Sequence, residues 1–336
     1  MIKYLGSKRK LIPDILDSIK QYSHYNSILD VFSGTARCSY AFKQTGLKVI
    51  SNDHNVYAHT VSTCYIEANK EDVQYETNKI LNELNNIHGK KGWFTETYCY
   101  NSRFFQPKNG EKIDAIRDKI EELNLARPLK QVVLTSLLEA ADRVDSTCGI
   151  QMAYIKNWSA RSNNDLILKL PKLLPQPSKG KCISTHLDAN EVVQQINTDI
   201  TYLDPPYNQH SYLSNYHIWE SLVLWDKPAV YGIACKRIDC KTRKSAYNSK
   251  VKHKKSFQKL IEDIKSKIII VSFNNEGFIS KQEMESLLLN KGKVTTITKD
   301  YNRYIGAKIG IYNPSGEKVG KIKSTKNKEY IYICEV

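Results

Sequence analysis

The sequence predicts an α/β protein with a Rossmann-like sheet and a helical insertion. Short apolar strands alternate with helices in residues 1–69 and again in residues 181–336. Residues 70–180 carry helical periodicity and are more polar. Alternating strands and helices are typical of a doubly wound parallel sheet. We therefore expect one sheet-containing domain made of residues 1–69 and 181–336, with residues 70–180 inserted into it.

The first elements form a strand–helix–strand unit. An amphipathic helix is predicted within residues 6–22, followed by the apolar strand SILDVF at 27–32. The next helix stops at Gly46, which suits a C-terminal cap. KVISND at 48–53 is then a second strand that ends in polar residues. This order is that of a βαβ unit with parallel strands.

The later elements follow from the same periodicities. EDVQYETNKILNELNNI, EKIDAIRDKIEELNL and LKQVVLTSLLEAADRV predict helices of the insertion, and LPKLLPQPSKGK predicts a linker back to the sheet. DITYL and IIIVSF predict buried strands, and FQKLIEDIKSK and KQEMESLLLNKG predict helices. KVTTITKDY predicts a further strand, and EYIYICEV, at the end of the chain, is expected to be an edge strand.

Composition and charge narrow the class of partner. The 336 residues carry a net charge of +15, with a pI near 9.2, which favours a polyanionic partner, nucleic acid first. No apolar run is long enough to span a membrane, and the N-terminus lacks the apolar core of a signal peptide, so we expect a cytoplasmic protein. The spacing of the eight cysteines predicts reduced thiols and no metal site.

The basic residues concentrate in one segment. Residues 236–259 hold ten Lys or Arg and one acid, Asp239. Such a segment repels itself, so we expect a mobile loop that becomes ordered when phosphates neutralise it. The candidate DNA-binding residues in this loop are Lys236, Arg237, Lys241, Arg243, Lys244, Lys252, Lys254 and Lys255.

A small-residue turn follows the first strand. Ligands of doubly wound sheets bind at the carboxyl ends of the strands. That edge offers Asp30 and a glycine, Gly34, that lets the backbone approach a ligand closely, and then Asp53, which suits a ribose hydroxyl pair. Ala36 stands where a second glycine would be expected for a pyrophosphate cradle. The turn therefore favours a nucleoside without phosphates, although an ordinary tight βα turn would have the same sequence.

The tetrapeptide Asp204-Pro205-Pro206-Tyr207 ends the buried strand ITYL, at the same edge of the sheet. The prolines hold the backbone extended, and their carbonyls remain acceptors. Asp204 adds carboxylate acceptors, and Tyr207 adds a stacking face. This arrangement of acceptors and a ring complements a planar group with an NH2 donor, such as adenine.

Five motifs in order resemble the DNA N6-adenine methyltransferases in which the cofactor motifs precede Asp-Pro-Pro-Tyr, the D12 or alpha-type order. YLGSKRKLIP at 4–13 resembles the family's N-terminal motif, DVFSGTARCSYAF at 30–42 its cofactor loop and ISND at 50–53 its ribose-binding strand end. THLDAN at 185–190 resembles the motif whose acid approaches the adenine ring of the cofactor, and LDPPY at 203–207 resembles the catalytic motif. EAADRVDSTCGI, NYHIWESL and SFNNEGFIS resemble segments of solitary or restriction-linked members.

The resemblance implies a Rossmann-like methyltransferase sheet that uses S-adenosylmethionine, releases S-adenosylhomocysteine and needs no metal. Residues 70–180 are then expected to be a target-recognition region. The implied catalytic residues are Asp204, Pro205, Pro206 and Tyr207. The implied cofactor-binding residues are Tyr4, Gly6, Ser7, Lys8, Asp30, Phe32, Ser33, Gly34, Thr35, Asn52, Asp53 and Asp188.

The implied reaction is methylation of N6 of an adenine flipped out of duplex DNA. Asp204 and the Pro205 carbonyl would accept hydrogens from N6, and Tyr207 would stack on the base. The implied partners are double-stranded DNA and a restriction endonuclease of the same specificity, in a bacterium or phage. Asn302 and Arg303 are further candidates for DNA contact.

Other functions stay open at this point. N4 of cytosine, adenine in RNA and a protein glutamine amide are alternative methyl acceptors, although Asp at the first position of the tetrapeptide favours adenine. A non-catalytic DNA-binding protein on a decayed methyltransferase fold would have lost catalytic residues, yet Asp30, Asp53, Asp204 and Tyr207 are all present.

Overall fold

The computed structural model describes residues 1–302, 311–312, 318–320 and 326–336. Arg303 lies outside these ranges, and nothing is described of the side chain of Asn302. The helices are α1 (Ile12–Lys20), α2 (Arg37–Gln44), α3 (Val56–Ser62), α4 (Lys70–Asn86), α5 (Trp93–Thr95), α6 (Pro107–Glu122), α7 (Leu129–Val144), α8 (Ala189–Gln195), α9 (Tyr212–Asn215), α10 (His217–Leu224), α11 (His253–Asp263) and α12 (Lys281–Leu289). The strands are β1 (Ser27–Asp30), β2 (Lys48–Asn52), β3 (Ile183–Thr185), β4 (Ile200–Leu203), β5 (Val230–Tyr231), β6 (Lys236–Arg237), β7 (Ile268–Asn274), β8 (Lys293–Asn302), β9 (Ile311–Tyr312), β10 (Lys318–Gly320) and β11 (Lys326–Glu335).

Seven strands form the main sheet in the order β3-β2-β1-β4-β7-β11-β8. β3, β2, β1, β4 and β7 are parallel to one another, as the alternating strands and helices predict. The direction of the order reverses between β1 and β4, and such a switch point opens a crevice at the carboxyl ends of the strands. The expectation of a doubly wound Rossmann-like sheet is therefore confirmed.

The C-terminal strand is not at the edge, so that expectation was wrong. β11 is antiparallel to both β7 and β8 and lies between them, which leaves β8 at the edge. The physical reason is visible in its burial, since Ile331, Tyr332, Ile333 and Cys334 are all buried although successive side chains point to opposite faces. A strand buried on both faces belongs in the interior of a sheet.

The inserted helices pack onto the sheet domain. α7 packs against α3 and α10, and its apolar side chains share one hydrophobic core with Ile28 of β1 and Phe42 of α2. The guanidinium of Arg117 on α6 is buried and donates to the carbonyl of Leu222 at the end of α10, with a distance of 2.6 Å. The helical character predicted for the insertion is confirmed, while its boundaries and its role in target recognition stay predictions.

None of the described helices is both long and apolar enough to cross a membrane. Within the same described ranges, no three His, Cys, Asp or Glu side chains are grouped so that they could hold a metal ion.

Candidate active site

The carboxyl ends of β1, β2 and β4 surround a cleft. The N-terminal residues before α1 close it from the side. Ten residues of the predicted cofactor set line this cleft: Tyr4, Gly6, Ser7, Lys8, Asp30, Phe32, Ser33, Gly34, Thr35 and Asp53. Asp204 and Pro206 of the predicted catalytic motif line it too. Residues far apart in sequence thus meet where parallel strands end.

The turn after β1 adopts left-handed backbone conformations. Gly34 has φ +51°, and a Cβ there would lie 3.1 Å from Cε1 of Tyr4. Its amide donates to Oδ2 of Asp53 at 3.0 Å, which orients that carboxylate. Ala36, where a second glycine was expected, also has a positive φ of 59°. Alanine tolerates this conformation at a cost of about 1–2 kcal/mol, so the departure leaves the shape of the turn intact.

Asp30 is an unsatisfied acid at the bottom of the cleft. Its Oδ2 accepts from the Ser39 hydroxyl at 2.5 Å, while the buried Oδ1 has no hydrogen-bond partner among the described residues. Burial raises the pKa of Asp30 to about 7, against the opposing hydrogen bond from Ser39. A buried acceptor without a donor is costly, so a cationic donor such as the ammonium of an amino acid would satisfy it.

Three more buried polar atoms without described partners belong to residues of this cleft: Ser7 Oγ, Arg37 Nε and Asn55 Oδ1. Oδ1 of Asp53 accepts from the backbone and side-chain amides of Asn55, whereas Oδ2 accepts only from Gly34 among the described residues and has a lone pair left for a hydroxyl donor. An ammonium acceptor, hydroxyl acceptors and an adjacent apolar ring, Phe32, match the functional groups of S-adenosylmethionine. The residues present therefore fit that cofactor.

Lys8 joins the cofactor cleft to the catalytic motif. Its buried ammonium lies 3.2 Å from Oδ1 of Asp204 and 3.3 Å from Oε2 of Glu329 on β11. Burial alone would lower the pKa of Lys8, but the two carboxylates outweigh it and hold that pKa above its usual value. Burial raises the pKa of Asp204 to about 6, with Lys8 opposing the rise and Glu329 adding to it.

Glu329 was not among the predicted site residues. It stands at the start of the apolar run EYIYICEV, and its side chain is buried. A single acid at the border of a buried strand was the available signal. β11 lies inside the sheet and is antiparallel to β7, which brings the first residues of β11 to the carboxyl edge of the parallel strands. Glu329 reaches the site for this reason.

The Asp-Pro-Pro-Tyr loop is held from two sides. The Tyr207 carbonyl accepts from the Phe278 amide at 3.1 Å, and its ring meets Phe273 edge-on with centroids 6.0 Å apart. The Pro206 carbonyl accepts from Nε2 of His253 at 3.0 Å. Pro205 and Tyr207 do not line the cleft, but the Tyr207 ring lies 5.8 Å from Nζ of Lys8, which does.

An aromatic stack that was not predicted forms one wall of the cleft. The ring of Tyr4 lies between those of Tyr212 and Tyr216, with centroid distances of 5.0 and 4.8 Å. The Leu5 amide donates to the Tyr216 hydroxyl at 2.6 Å and fixes the N-terminal segment to the stack. The two tyrosines stand four residues apart in SYLSNYH, a helical spacing that was the signal for a shared face.

Two predicted cofactor residues lie outside the lining of the cleft. The Asn52 amide donates to the carbonyls of Val31 and Leu187, and its oxygen accepts from the Leu187 amide, so it joins two strand ends. The Asp188 carboxylate accepts from the Asn190 amide as the N-cap of α8. Both side chains support the edge of the site by contacts within the protein.

The basic segment differs from the expected mobile loop, because residues 236–259 include strand β6, two short 3-10 helices and part of α11. Arg237 is buried and binds the carboxylates of Asp226 and Asp239. Arg243 binds Glu220 and Asp239. These two arginines are therefore structural ion-pair partners, contrary to the expectation that they contact DNA, because Arg237 is buried and pairs with two aspartates and Arg243 neutralises the buried Glu220.

The lysines of the segment are arranged differently. Lys241, Lys244, Lys252, Lys254 and Lys255 are exposed, and Lys236 is half-buried. Lys254 pairs with Glu283 at 2.7 Å, and Lys241 lies over the Tyr231 ring. Lys244 lines a second cleft, together with His210, Ser211 and Asn248. Residues of the loop that follows Tyr207 therefore form part of this second cleft.

Comparisons with known proteins agree with this geometry. Residues 4–287 match the family model of the D12 class N6 adenine-specific DNA methyltransferases. The chain is 30% identical to the Type II methyltransferase M.NlaIII of Neisseria lactamica, over 99% of each chain. It is 32% identical to the modification methylase StsI of Streptococcus sanguinis and 29% identical to the Type II methyltransferase M.FokI of Planomicrobium okeanokoites. It covers 85% and 87% of its own length in those two matches, but 46% and 47% of theirs.

The family match extends from Tyr4 through the turn after β1 to the region beyond the Asp-Pro-Pro-Tyr loop, so it includes every residue that lines the cleft, whereas Glu329 lies beyond it. The protein belongs to the D12 class of N6 adenine-specific DNA methyltransferases.

Proposed function

We propose that this enzyme binds S-adenosylmethionine in the cleft and methylates N6 of one adenine within a specific duplex sequence. The observation that carries this proposal is the position of Asp204. Asp204 lines the cleft at the start of the Asp-Pro-Pro-Tyr loop, and Lys8 lies 3.2 Å from one of its carboxylate oxygens. An amino group that reaches this loop would therefore meet an acceptor beside the cofactor.

Each proposed cofactor residue would contact a different chemical group of the cofactor. Asp30 Oδ1 would accept from the cofactor's ammonium, and Asp53 would accept from the ribose hydroxyls. Tyr4 and Phe32 provide apolar ring surface along the cleft. When bound, S-adenosylmethionine supplies an electrophilic methyl group on a sulfonium. The remaining chemistry falls to the protein, which positions the nucleophile and excludes water.

The nucleophile is weak because the N6 lone pair of adenine is delocalised into the ring. Asp204 and the Pro205 carbonyl would each accept a hydrogen from N6, which draws the nitrogen toward tetrahedral geometry and localises its lone pair. Tyr207 would stack on the base and recover part of the few kcal/mol needed to unstack it from duplex DNA. After transfer, the extra N6 proton leaves through Asp204 to solvent.

The exposed lysines of residues 236–259 would bind the DNA backbone. Lys241, Lys244, Lys252 and Lys255 are exposed, and Lys244 lines a cleft together with His210 and Ser211, which follow Tyr207. Phosphate contacts position DNA without reading its sequence. Base readout is assigned to residues 70–180, as the order of the motifs implies.

The relatives' names place them in modification systems, and we infer the same setting here. The enzyme would protect bacterial or phage DNA in the cytoplasm against a restriction endonuclease of the same specificity, or act as a solitary methylase.

The direct test is transfer of labelled methyl from S-adenosylmethionine to unmethylated duplex DNA, followed by nucleoside analysis. N6-methyladenine at one mapped sequence is the expected product. Label on N4 of cytosine would show that the target base is cytosine. Label found only on RNA or protein would show that DNA is not the substrate. DNA binding without any transfer would support a binding protein instead.

A further inference from the structure

Glu329 is a buried acid that the reaction described above does not use. It lies on β11, more than a hundred residues after Asp204, and contacts the same ammonium, that of Lys8. The three side chains come from the N-terminal segment, the end of β4 and the beginning of β11. All three lie at the carboxyl edge of the sheet, and Lys8 and Glu329 are both buried.

We propose that Glu329 is a positioning residue for methyl transfer, which holds the Lys8 ammonium between two carboxylates so that Asp204 keeps an oxygen free for the target amino group. This inference rests on the proposed role of Asp204 as the acceptor for N6.

The three side chains together carry an excess of negative charge. Lys8 carries one positive charge and faces two carboxylates, so the buried group as a whole is anionic. With Glu329 present, the ammonium divides its hydrogen bonds, 3.2 Å to Asp204 and 3.3 Å to Glu329. Without it, the ammonium would have only Asp204 as an anionic partner among the described residues. Lys8 and Asp204 would then form a closed pair.

A closed pair would be a poor acceptor for adenine. Charge-assisted hydrogen bonds are stronger than neutral ones, so the ammonium of Lys8 would compete with the weakly acidic N6 amino group for the carboxylate. Glu329 offers Lys8 a second partner of the same kind, and the ammonium can move toward it when the base arrives. The buried anionic excess also favours the cationic cofactor nearby.

The other charged and titratable groups around Lys8 do not replace Glu329. Tyr207 faces the ammonium with its ring, 5.8 Å from Nζ to the centroid. Asp30 is directed to Ser39 at the bottom of the cleft, and Tyr212 belongs to the aromatic stack. Among the described residues, Asp204 and Glu329 are the carboxylates that form ion pairs with Lys8.

The experiment compares Glu329→Gln and Glu329→Asp with the wild-type enzyme. Single-turnover methylation of a duplex containing the mapped site gives the rate of transfer, and titrations give the affinities for cofactor and DNA. Glu335→Gln is the matched control, since it removes an acid from the same strand at an exposed position away from the cleft. Wild-type activity on this duplex tests the proposed function first and separately.

We expect Glu329→Gln to lower the rate of methyl transfer about ten- to a hundredfold, the range typical when a partner that orients an active-site group is lost. DNA affinity should stay within about threefold. Glu329 raises the pKa of Asp204, so its removal should also move the acidic limb of the rate profile to lower pH. Glu329→Asp keeps the charge at shorter reach and should be intermediate in rate.

A wild-type rate in Glu329→Gln would overturn the proposal. A slow variant whose acidic limb does not move would also overturn it, because a general loss of structure reduces the rate at every pH. If Glu329→Gln does not fold, the proposal is tested with Glu329→Asp alone. A wild-type rate in that variant would contradict the proposal, and so would a reduced rate accompanied by weakened DNA binding.

Discussion

The Nε2 atom of His253 lies 3.0 Å from the carbonyl oxygen of Pro206. A carbonyl only accepts, so Nε2 carries the hydrogen, and burial lowers the pKa of His253 and keeps the ring neutral. The basic segment therefore supports the catalytic loop from within. Asn248 adds to this support, because its amide donates to the carbonyls of Asn208 and His210 just after the tetrapeptide.

Replacing His253 tests this support. We expect His253→Phe to lower kcat about tenfold with little change in KM, because the Pro206 peptide loses its donor while the DNA surface is unchanged. His253→Gln places an amide at similar reach and should restore part of the rate. His24→Phe is a control at an exposed histidine. Equal losses in the Phe and Gln variants would contradict a role for the hydrogen bond.

Removing the carboxylate of Asp204 should reduce methyl transfer without weakening DNA binding. We expect Asp204→Ala to reduce methylation by at least about a hundredfold and to leave DNA affinity within a few-fold of the wild type. The measurement combines labelled methyl transfer with a DNA titration by fluorescence anisotropy. Normal methylation by this variant would show that the proposed mechanism is wrong.

The reaction should lose rate in mild acid. Asp204 must be ionised to accept from N6, and its pKa is raised to about 6. The single-turnover rate is therefore expected to be constant above about pH 7 and to fall as pH decreases through 6. The check is a pH profile with cofactor and DNA both saturating. A rate that stays constant down to pH 5 would exclude Asp204 as the ionised acceptor.

Cofactor affinity should depend on the ionisation of Asp30. Its pKa is raised to about 7, so the carboxylate gains charge as pH rises from 5.5 to 7.5 and should bind the cofactor's ammonium more tightly. Asp30→Asn should weaken binding about ten- to a hundredfold at pH 7.5 and remove most of this increase, because a hydrogen bond to a charged group contributes about 1.5–3 kcal/mol. Calorimetric titration at several pH values measures both effects. If the pH dependence of cofactor binding is unchanged in Asp30→Asn, a group other than Asp30 causes it.

The basic segment should contain two functionally different sets of cations. We expect Lys244→Ala combined with Lys252→Ala to weaken DNA binding and to reduce the slope of log K against log salt by about two, without loss of thermal stability. Arg237→Ala should instead lower the melting temperature, since it leaves the carboxylates of Asp226 and Asp239 without their buried partner. If Arg237→Ala is as stable as the wild type and changes the salt dependence of DNA binding, Arg237 contacts DNA after all.

Much of the site could be predicted because its residues occur in short local patterns. Asp30, Gly34 and Asp53 are placed by one strand–turn–helix–strand unit, and Asp204 is placed by a strand that ends in two prolines. Parallel strands bring their carboxyl ends to one edge, so residues predicted to end such strands are predicted to meet.

The predicted site residues whose side chains bind within the protein share a physical cause. Arg237 and Arg243 have the same composition signal as the exposed lysines around them, and only the positions of Asp226, Asp239 and Glu220 show that they are bound within the protein. Asn52 has the residue type and position of a ligand contact, but its amide is used by three backbone groups.

The sequence by itself determined the doubly wound sheet and which residues stand at the ends of its first parallel strands, including Asp30, Asp53 and Asp204, because local spacing decides which residues end a parallel strand. Only the tertiary structure decided that the last strand enters the sheet between β7 and β8 and that Glu329 therefore reaches Lys8. The partner of a buried charge depends on which distant segments pack together, and no local pattern in the chain encodes that distance.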